Sequence, residues 1–285
     1  MILISGSNGL LGNGLKNYFK LNNIKFKTIG RKSCDFNGDI KDNAFVEDKI
    51  KNIAPNIFIN LAGLTSVDEC EKNLTLTYKL NVEFPEVVLK ALKKNQKNYY
   101  FIQFSTDMVY NNEGPHTEEN VCPINEYSKS KVEIEKKIIN YNAISLRTNF
   151  FGKSRSNNKL SFSDKIYLAC SKKKNIELFK DVFFSPVSFN TVYSIISILI
   201  KKNILGIYNM GSNKGMTKEQ FGIAFCNELK LEKKYIKSNS LKEINLYAKR
   251  PQDMRLDNTK LEKKLNLRFD DLIDEIKNTK KDYLL

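Results

Sequence analysis

The 285-residue sequence contains no tryptophan, a single histidine and no Cys-x-x-Cys pair. Its five cysteines are odd in number and widely spaced, which argues against disulfides and against a zinc site. No apolar run reaches the length of a membrane-spanning helix, and the first residues lack the basic segment of a signal peptide. We therefore expect a cytoplasmic protein with reduced thiols, no metal site and no membrane partner.

The single histidine, His116, lies in a Pro-His-Thr-Glu segment that is typical of a loop. Lone loop histidines are more often solvated than catalytic, so we expect His116 to be solvated and assign it no role.

The formal net charge is +15, and the basic residues are scattered in short groups such as Lys93-Lys94 and Lys172–Lys174. Because asparagine and isoleucine are also abundant, the charge suggests a compositional bias of the whole chain. The remaining interpretation is attraction of ligands that carry phosphate. Basic and aromatic residues do not interleave, so no nucleic-acid partner is expected.

Short apolar runs alternate with helical patterns in the first half of the chain. The predicted strands are Ile2–Ser5, Lys25–Ile29, a very short one near Cys34–Phe36, Asn56–Leu61, Tyr99–Phe104 and Ala143–Leu146. The predicted helices between them are Leu10–Leu21, Phe45–Ile53, Leu74–Lys94 and Tyr127–Ile139. This alternation predicts an α/β fold with a Rossmann-type, doubly wound parallel sheet.

The alternation weakens after Gly152, where glycines and Pro186 interrupt it. Further helices are predicted at Val192–Lys202, Lys218–Leu229, Asn258–Leu265 and Asp270–Lys277. We expect an NAD(P)-binding domain over residues 1–151 and a smaller, irregular lobe, mainly for substrate, over 152–285. The boundary is soft, and late segments are free to return to the first domain.

A glycine-rich turn, G-x-x-G-x-x-G, joins the first predicted strand to the first helix. Its glycines permit a tight turn and close approach of the backbone to a pyrophosphate. The helix N-terminus adds unpaired N–H donors and a partial positive charge. We predict that the turn binds a dinucleotide. The expected contacts are Gly6, Asn8, Gly9, Leu10, Leu11 and Gly12.

Arg31 and Lys32 follow the second predicted strand, where an NAD-selective site usually has an acidic residue. A guanidinium suits the 2′-phosphate of NADP, so NADP is favoured and NAD stays open. Further cofactor contacts are expected after the third and fourth strands. These are Asp39 and Ile40 near the adenine, and Leu61, Ala62 and Gly63 near ribose and pyrophosphate.

Thr106, Tyr127 and Lys131 form the predicted catalytic set. Thr106 follows the fifth strand, at the carboxyl end where open α/β sheets bind ligands, and Tyr127 and Lys131 share a helix face. A tyrosine with a pKa of about 10 is a poor acid near pH 7, and a nearby lysine cation lowers that pKa. We expect Thr106 to hydrogen-bond a substrate carbonyl and Tyr127 to protonate it. Lys131 would lower the tyrosine pKa and bind the nicotinamide ribose.

Together these motifs resemble the extended short-chain dehydrogenase/reductase superfamily and, within it, the dTDP-4-dehydrorhamnose reductase family. The resemblance extends over nearly the whole chain. Besides the glycine turn and Tyr127-x-x-x-Lys131, it is carried by Asn60–Gly63, Val67-Asp68-x-x-Glu71, Ser105–Asp107, Pro115-x-x-Glu118, Pro123-x-Asn125, Leu146–Thr148, Asp181-x-x-x-Ser185-Pro186, Arg250-Pro251 and Leu256-Asp257-x-x-Lys260.

The resemblance implies an NAD(P)H-dependent reduction of a 4-keto sugar carried on a nucleoside diphosphate, serving polysaccharide synthesis. It implies substrate contacts from Thr106, Asp107, Asn149 and Phe150, with Arg250 facing the diphosphate. Phe150 stands where family members often have tryptophan.

Two departures from the family bear on the identity of the sugar. Met108 replaces a common tyrosine, and Ser128 replaces a common glycine. Met108 also cannot serve as the glutamate base of a 4,6-dehydratase, and the lone His116 argues against a 3,5-epimerase-reductase. Two alternatives stay open: a 4-epimerase that retains its NAD, and a non-catalytic NADP-binding subunit resembling the regulatory subunit of methionine adenosyltransferase. A homodimer is also left open.

Overall fold

The computed structural model describes residues 1–156 and 159–284. The strands within these residues are short. They are β1 (Ile2–Ser5), β2 (Phe26–Gly30), β3 (Phe36–Asn37), β4 (Ile57–Asn60), β5 (Tyr100–Phe104), β6 (Ala143–Thr148), β7 (Phe150–Phe151), β8 (Ile176–Phe179), β9 (Phe183–Phe184), β10 (Val187–Ser188), β11 (Gly206–Met210), β12 (Met216–Thr217), β13 (Ile236–Asn239) and β14 (Asp253–Met254).

Helices connect most of these strands. They are α1 (Leu10–Leu21), α2 (Asn43–Ile53), α3 (Val67–Lys72), α4 (Leu74–Tyr78), α5 (Phe84–Asn95), α6 (Glu126–Ile138), α7 (Phe162–Ser171), α8 (Phe189–Lys202), α9 (Lys218–Glu228), α10 (Thr259–Leu265) and α11 (Leu272–Leu284). A π-helical segment, Lys79–Glu83, joins α4 to α5, and 3₁₀ turns lie at Asp107–Val109, Lys233–Tyr235 and Leu241–Glu243.

The largest sheet is parallel throughout and has the strand order β3-β2-β1-β4-β5-β6-β11. Strand β1 pairs with β2 on one side and with β4 on the other, so the chain reverses its direction of progress at β1. Ligands of open α/β sheets bind at such a switch point, beyond the carboxyl ends of the strands. The predicted α/β class and doubly wound sheet are confirmed.

Apolar side chains cover both faces of this sheet. On one face Leu11, Leu15 and Phe19 of α1 pack with buried residues of α8 and α10. On the other face α2, α5 and α6 pack together, with Val88 and Ile134 fully buried. Burying each such side chain contributes about 1.5–3 kcal/mol, so these two layers account for a large part of the stabilisation.

A further apolar cluster lies in the later part of the chain. It joins α7, α9 and α11 to β8 and β9, with Phe221 and Phe225 of α9 buried at its centre. Met108, which follows β5, packs against this cluster. The later elements therefore adjoin the carboxyl edge of the main sheet.

Several predicted elements differ from the structure. The predicted helix Leu74–Lys94 is divided by the π-helical segment, and neither α3, which is short and polar, nor the ten-residue α7 was predicted. Strand β11 was also missed, although it extends the main sheet beside β6. Its residues belong to the predicted lobe 152–285, which includes residues 157, 158 and 285 outside the described part. The division into two domains stays a prediction.

Among the residues that the structure describes, no helix combines the length and the apolar character needed to cross a bilayer.

Candidate active site

The glycine turn between β1 and α1 needs two of its glycines for steric reasons. Gly6 has φ +68°, and a Cβ there would lie 2.4 Å from the carbonyl carbon and oxygen of Leu61. A Cβ on Gly12 would lie 2.5 Å from the Gly6 carbonyl oxygen. Gly9 precedes α1 without a side-chain cap, and the first turn of α1 has no acidic residue. The geometry fits an anion at this helix N-terminus.

Arg31 and Lys32 are exposed on the turn after β2. The Asn8 side chain connects the glycine turn to this region, since its Nδ2 donates to the Lys32 carbonyl oxygen at 2.7 Å. Lys16 of α1 donates from Nζ to Asn8 Oδ1 at 3.0 Å, and partial burial lowers the pKa of Lys16. The sequence offered no signal for Lys16, one of 47 basic residues.

Asp39 and Ile40 follow β3, the strand next to β2 in the main sheet. The Asp39 carboxylate is exposed and accepts from the Lys41 backbone N–H at 3.0 Å. This hydrogen bond, with the charges of Lys41 and Arg31, lowers the pKa of Asp39. Ile40 packs against the apolar layer formed by α2 and α5. The region beside the glycine turn is therefore polar and contains Arg31, Lys32 and Asp39.

A buried chain of polar side chains supports the turn after β4. Ser5 donates to Asn60 Oδ1 at 2.6 Å, and Asn60 Nδ2 donates to Gln103 Oε1 at 2.8 Å. Asn60 Oδ1 also accepts from the Ala62 backbone N–H at 3.1 Å. Because these groups are buried and paired, they hold Leu61, Ala62 and Gly63 in one conformation.

Asn81 is a buried residue of the π-helical segment that the sequence analysis missed. Its amide exchanges two hydrogen bonds with the backbone of Leu64, at 2.8 and 3.0 Å, and Nδ2 donates to Ser130 Oγ at 3.0 Å. A Cβ on Gly63 would lie 2.9 Å from Asn81 Oδ1 and 3.6 Å from Lys131 Nζ. Asn81 therefore links the turn after β4 to α6. Its only sequence signal was a polar residue within an apolar helical pattern.

Thr106, Tyr127 and Lys131 come together at the carboxyl edge of the sheet, and all three are buried. Thr106 caps the 3₁₀ turn after β5, where its Oγ1 accepts from the Met108 N–H at 3.2 Å. The Lys131 ammonium lies 5.9 Å from the centre of the Tyr127 ring and donates to the Phe104 carbonyl oxygen at 3.1 Å. The structure therefore groups the three predicted catalytic residues.

Burial dominates the ionisation of this group. It raises the pKa of Tyr127, although a hydrogen bond with Thr106 opposes the rise, so the phenol stays protonated near neutral pH. Burial also lowers the pKa of Lys131 to about 8, which keeps most of its ammonium charged at pH 7. Desolvation, with the charges of Asp107 and Cys70, therefore sets the direction of the Tyr127 shift, and the expected lowering of the tyrosine pKa by Lys131 stays a prediction.

The first turn of α6 is held by neighbouring segments. Asn125 and Ser128 form a reciprocal capping box, and the Glu71 carboxylate accepts from the Glu126 N–H at 3.0 Å. Asn125 Nδ2 donates to the Lys249 carbonyl oxygen at 2.9 Å. These contacts set the position of Tyr127 within the first turn.

Arg250, predicted to face a diphosphate, is engaged within the protein. Its Nη2 lies 3.0 Å from Asp68 Oδ1, and its Nη1 donates to the Ala248 carbonyl oxygen at 2.7 Å. Asp68 Oδ1 also accepts from the Ala248 N–H at 3.1 Å. The arginine therefore fastens the loop before β14 to α3, close to the N-terminus of α6.

The side chains of Asp107 and Asn149 contact each other, whereas the side chain of Phe150 packs against α8. Asn149 Nδ2 donates to Asp107 Oδ2 at 2.9 Å. Burial raises the pKa of Asp107 to about 6, against the opposing effects of Asn149 and of the Lys218 charge. The Phe150 ring is half-buried and lies 5.5 Å from the Phe189 ring of α8. The sequence analysis did not single out Lys218, whose charge acts on Asp107.

The prediction that His116 is solvated is wrong. Its side chain is fully buried, with the ring stacked 4.6 Å from the Tyr110 ring. His116 Nε2 lies 3.0 Å from the Asp253 carbonyl oxygen, within hydrogen-bonding distance. The segment folds inward because its backbone pairs with residues 255 and 257. No cluster of three or more metal-binding side chains occurs within residues 1–156 and 159–284.

The parallel sheet, the glycine turn and the Tyr127–Lys131 pair define an extended short-chain dehydrogenase/reductase. A family model described as RmlD substrate binding domain matches residues 1–284, so the chain belongs to this family.

Similar proteins differ in their described roles. The dTDP-4-dehydrorhamnose reductase of Aggregatibacter actinomycetemcomitans is 26% identical over 295 residues, with 97% of each chain covered. The methionine adenosyltransferase 2 subunit beta of Mus musculus is 25% identical over 282 residues, covering 92% of this chain and 81% of the relative.

Solved structures of dTDP-4-dehydrorhamnose reductases share the fold. The Clostridium acetobutylicum protein has a TM-score of 0.88 at 22% identity, covering 100% of this chain and 99% of the other. The Bacillus anthracis protein, in complex with NADP, has a TM-score of 0.86 at 22% identity and covers 99% and 98%.

Proposed function

We propose that this protein uses NADPH to reduce the 4-keto group of a sugar carried on a nucleoside diphosphate. The observation that carries the proposal is the grouping of Thr106, Tyr127 and Lys131 at the carboxyl edge of the sheet, beside a glycine turn shaped for a pyrophosphate. The similarity to dTDP-4-dehydrorhamnose reductases supports the choice of substrate.

The residues present fit a nicotinamide dinucleotide. Gly6 and Gly12 leave no space for side chains at the turn, and a Cβ on Gly63 would lie 3.6 Å from Lys131 Nζ. When bound, the cofactor supplies the hydride. The contacts that would hold it are Gly6, Asn8, Gly9, Leu10, Leu11, Gly12, Arg31, Lys32, Asp39, Ile40, Leu61, Ala62, Gly63, Tyr127 and Lys131.

The proton is handled by residues of this chain. Thr106 would orient the substrate carbonyl oxygen by a hydrogen bond, and Tyr127 would donate its phenolic proton to that oxygen. The raised pKa of Tyr127 keeps this proton in place until the carbonyl oxygen gains charge. The Lys131 ammonium then stabilises the phenolate, which is a stronger effect in a buried site than in water.

The decisive test is turnover by the purified chain. We expect it to oxidise NADPH when dTDP-4-dehydrorhamnose is added, with one reduced sugar formed for each NADPH consumed. Interconversion of two sugar epimers without net NADPH consumption would instead support the epimerase. Tight NADPH binding without turnover on any nucleotide-linked 4-keto sugar would support the binding subunit, which the similarity to the methionine adenosyltransferase subunit favours.

The preference for NADPH is assigned to Arg31. An Arg31→Asp variant is expected to weaken NADPH binding about tenfold or more, because a carboxylate would repel the 2′-phosphate where the guanidinium attracts it. NADH, which lacks this phosphate, should bind with little change. Cofactor fluorescence titrations measure both affinities. Arg268→Asp, at another exposed arginine, is the matched control for net charge, and equal losses for both cofactors would remove the preference.

A further inference from the structure

The Thr106 hydroxyl donates its hydrogen within the protein. Its Oγ1 donates to Asp107 Oδ1 at 3.3 Å and accepts from the Met108 N–H at 3.2 Å. A hydroxyl has one hydrogen to donate and two lone pairs with which to accept. While the hydrogen points to Asp107, the Thr106 oxygen therefore presents only lone pairs to any other group.

A substrate carbonyl needs a donor at this position. A carbonyl oxygen is an acceptor, and it becomes a stronger one as negative charge develops on it during reduction. If Thr106 kept its hydrogen on an ionised Asp107, two acceptors would face each other. The ionisation state of Asp107 therefore decides whether Thr106 can donate to the substrate.

The two oxygens of the Asp107 carboxyl have different partners. Asn149 Nδ2 donates to Oδ2 at 2.9 Å, so Oδ2 is an acceptor. Oδ1 faces Thr106 and is the oxygen that would carry a proton. The Thr106–Asp107 distance of 3.3 Å is longer than the roughly 2.5–2.7 Å of a charge-assisted bond from a hydroxyl to a carboxylate. This hydrogen bond is therefore weak, and little is lost when its direction reverses.

The surroundings of Asp107 favour a proton on its carboxyl. Asp107 is only 2% exposed, and burial raises its pKa to about 6. The rise occurs although the hydrogen bonds of Asn149 and Thr106 and the charge of Lys218 in α9 favour the carboxylate. Tyr127 of α6 is a further titratable neighbour, and its phenol is neutral near pH 7. Bound substrate would exclude more water, which raises the pKa of Asp107 further.

We propose that Asp107 acts in its protonated form as a positioning residue for Thr106. The carboxyl donates from Oδ1 to Thr106 Oγ1, and the hydroxyl hydrogen of Thr106 is released to the substrate carbonyl oxygen. Oγ1 then accepts from Asp107 and Met108 and donates to the substrate, which uses its whole hydrogen-bonding capacity. This inference rests on the proposed function, because it concerns the carbonyl that the proposed reaction reduces.

Asp107 keeps its own proton throughout the reaction. Tyr127, which is hydrogen-bonded to Thr106 in the free protein, turns to the same carbonyl oxygen and supplies the proton that the product retains. Its departure also frees the lone pair of Thr106 that Asp107 then occupies. Asp107 and Thr106 therefore orient and polarise the carbonyl, and Tyr127 protonates it.

The pH dependence of kcat tests the proposal, because kcat reports the groups that ionise in the substrate complex. For the unaltered chain we expect kcat to fall about tenfold per pH unit as the pH rises through the pKa of Asp107. Asp107→Asn should abolish this fall, because its amide Nδ2 donates to Thr106 at every pH while its oxygen accepts from Asn149. One pH unit above the midpoint, kcat of the variant should exceed that of the unaltered chain roughly tenfold. The decline that follows deprotonation of Lys131, whose pKa is about 8, should remain in both.

Three further variants show whether the fall belongs to Asp107 and acts through Thr106. Asn149→Leu removes a hydrogen bond that favours the carboxylate, so the fall should move to higher pH. Thr106→Val should lower the maximum kcat about 10²–10³-fold, the usual cost of one donor to the reacting oxygen. Adding Asp107→Asn to Thr106→Val should then change nothing more. Asp274→Asn, at an exposed aspartate, is the matched control and should keep the fall.

Infrared difference spectroscopy detects the proton on Asp107 without turnover. The complex with NADP⁺ and dTDP-4-dehydrorhamnose cannot react, because the cofactor is already oxidised. At pH 6 the unaltered chain in this complex should show a carboxylic acid C=O band that Asp107→Asn lacks. A carboxylate band in its place would overturn the inference.

The outcomes distinguish this inference from the proposed function. If the unaltered chain reduces the sugar but Asp107→Asn keeps the fall in kcat, Asp107 is not the titrating group and the inference is overturned while the reductase stands. The same holds if Asp107→Asn binds the nucleotide sugar normally but is inactive at every pH, because Asp107 would then act as a carboxylate. If the unaltered chain binds the sugar without reducing it, the proposed function fails and the infrared band alone decides the inference. A chain that does not bind the nucleotide sugar overturns both.

Discussion

A Tyr127→Phe variant is expected to lose about 10²–10⁴-fold in kcat, the usual contribution of a positioned general acid. Phenylalanine fills the space of the tyrosine ring, which packs with Val67 and Cys70. Only the hydroxyl that would protonate the carbonyl oxygen is removed. NADPH oxidation with dTDP-4-dehydrorhamnose measures the loss, and fluorescence titration should show an NADPH affinity within about threefold of normal, a difference of under 1 kcal/mol.

A second tyrosine provides the matched control for this result. The Tyr208 hydroxyl of β11 donates to the Leu205 carbonyl oxygen at 3.2 Å, far along the chain from the catalytic residues. Tyr208→Phe removes a similar hydroxyl and should keep near-normal kcat. If Tyr127→Phe is as active as Tyr208→Phe, Tyr127 is not the proton donor, and the mechanism has to be assigned to another group.

The parts of the site that the sequence predicted are those with local causes. The glycine spacing after β1 follows from a turn of a few residues, in which Gly6 needs a positive φ and Gly12 needs contact with backbone. Tyr127 and Lys131 share a face because four residues make about one helical turn. These features are encoded by neighbouring positions and are therefore visible without the fold.

The parts that were missed depend on distant segments. Asn81 contacts Ser130, 49 residues away in sequence, only because the π-helical segment packs on α6. The charge of Lys218 acts on Asp107, which is more than a hundred residues away in sequence. No spacing rule within a single sequence contains such pairings, which arise from tertiary packing.

His116 is a residue whose burial also depends on distant segments and could not be read from its local sequence. Its loop-like sequence predicted solvation, yet the segment 110–118 covers a buried arginine. Arg147 of β6 donates from Nη1 to the Tyr110 hydroxyl at 2.8 Å and to the Glu118 carbonyl oxygen at 2.6 Å. Its Nε and Nη2 bind the Glu135 carboxylate of α6 at 2.7–3.1 Å. The arginine thus draws the loop inward over the sheet.

This buried ion pair carries the largest expected effect on stability. The Arg147 and Glu135 side chains are only 4% and 1% exposed. Arg147→Met would leave the Glu135 carboxylate buried without its cation, and we expect the free energy of unfolding to fall by about 3–5 kcal/mol. Urea unfolding followed by circular dichroism measures this loss through the midpoint at constant slope.

The pairing itself is tested by the double variant Arg147→Met/Glu135→Met. Because no unpaired charge remains, it should be more stable than Arg147→Met alone, although the Glu118 carbonyl still lacks its donor. Asp274→Asn breaks the ion pair between Asp274 and Lys277, whose side chains are 51% and 56% exposed, respectively. We expect this change to lower the free energy of unfolding by under about 1 kcal/mol. If Arg147→Met cost no more than Asp274→Asn, water or a rearranged loop would be solvating Glu135, and the loop over Arg147 would not depend on the ion pair.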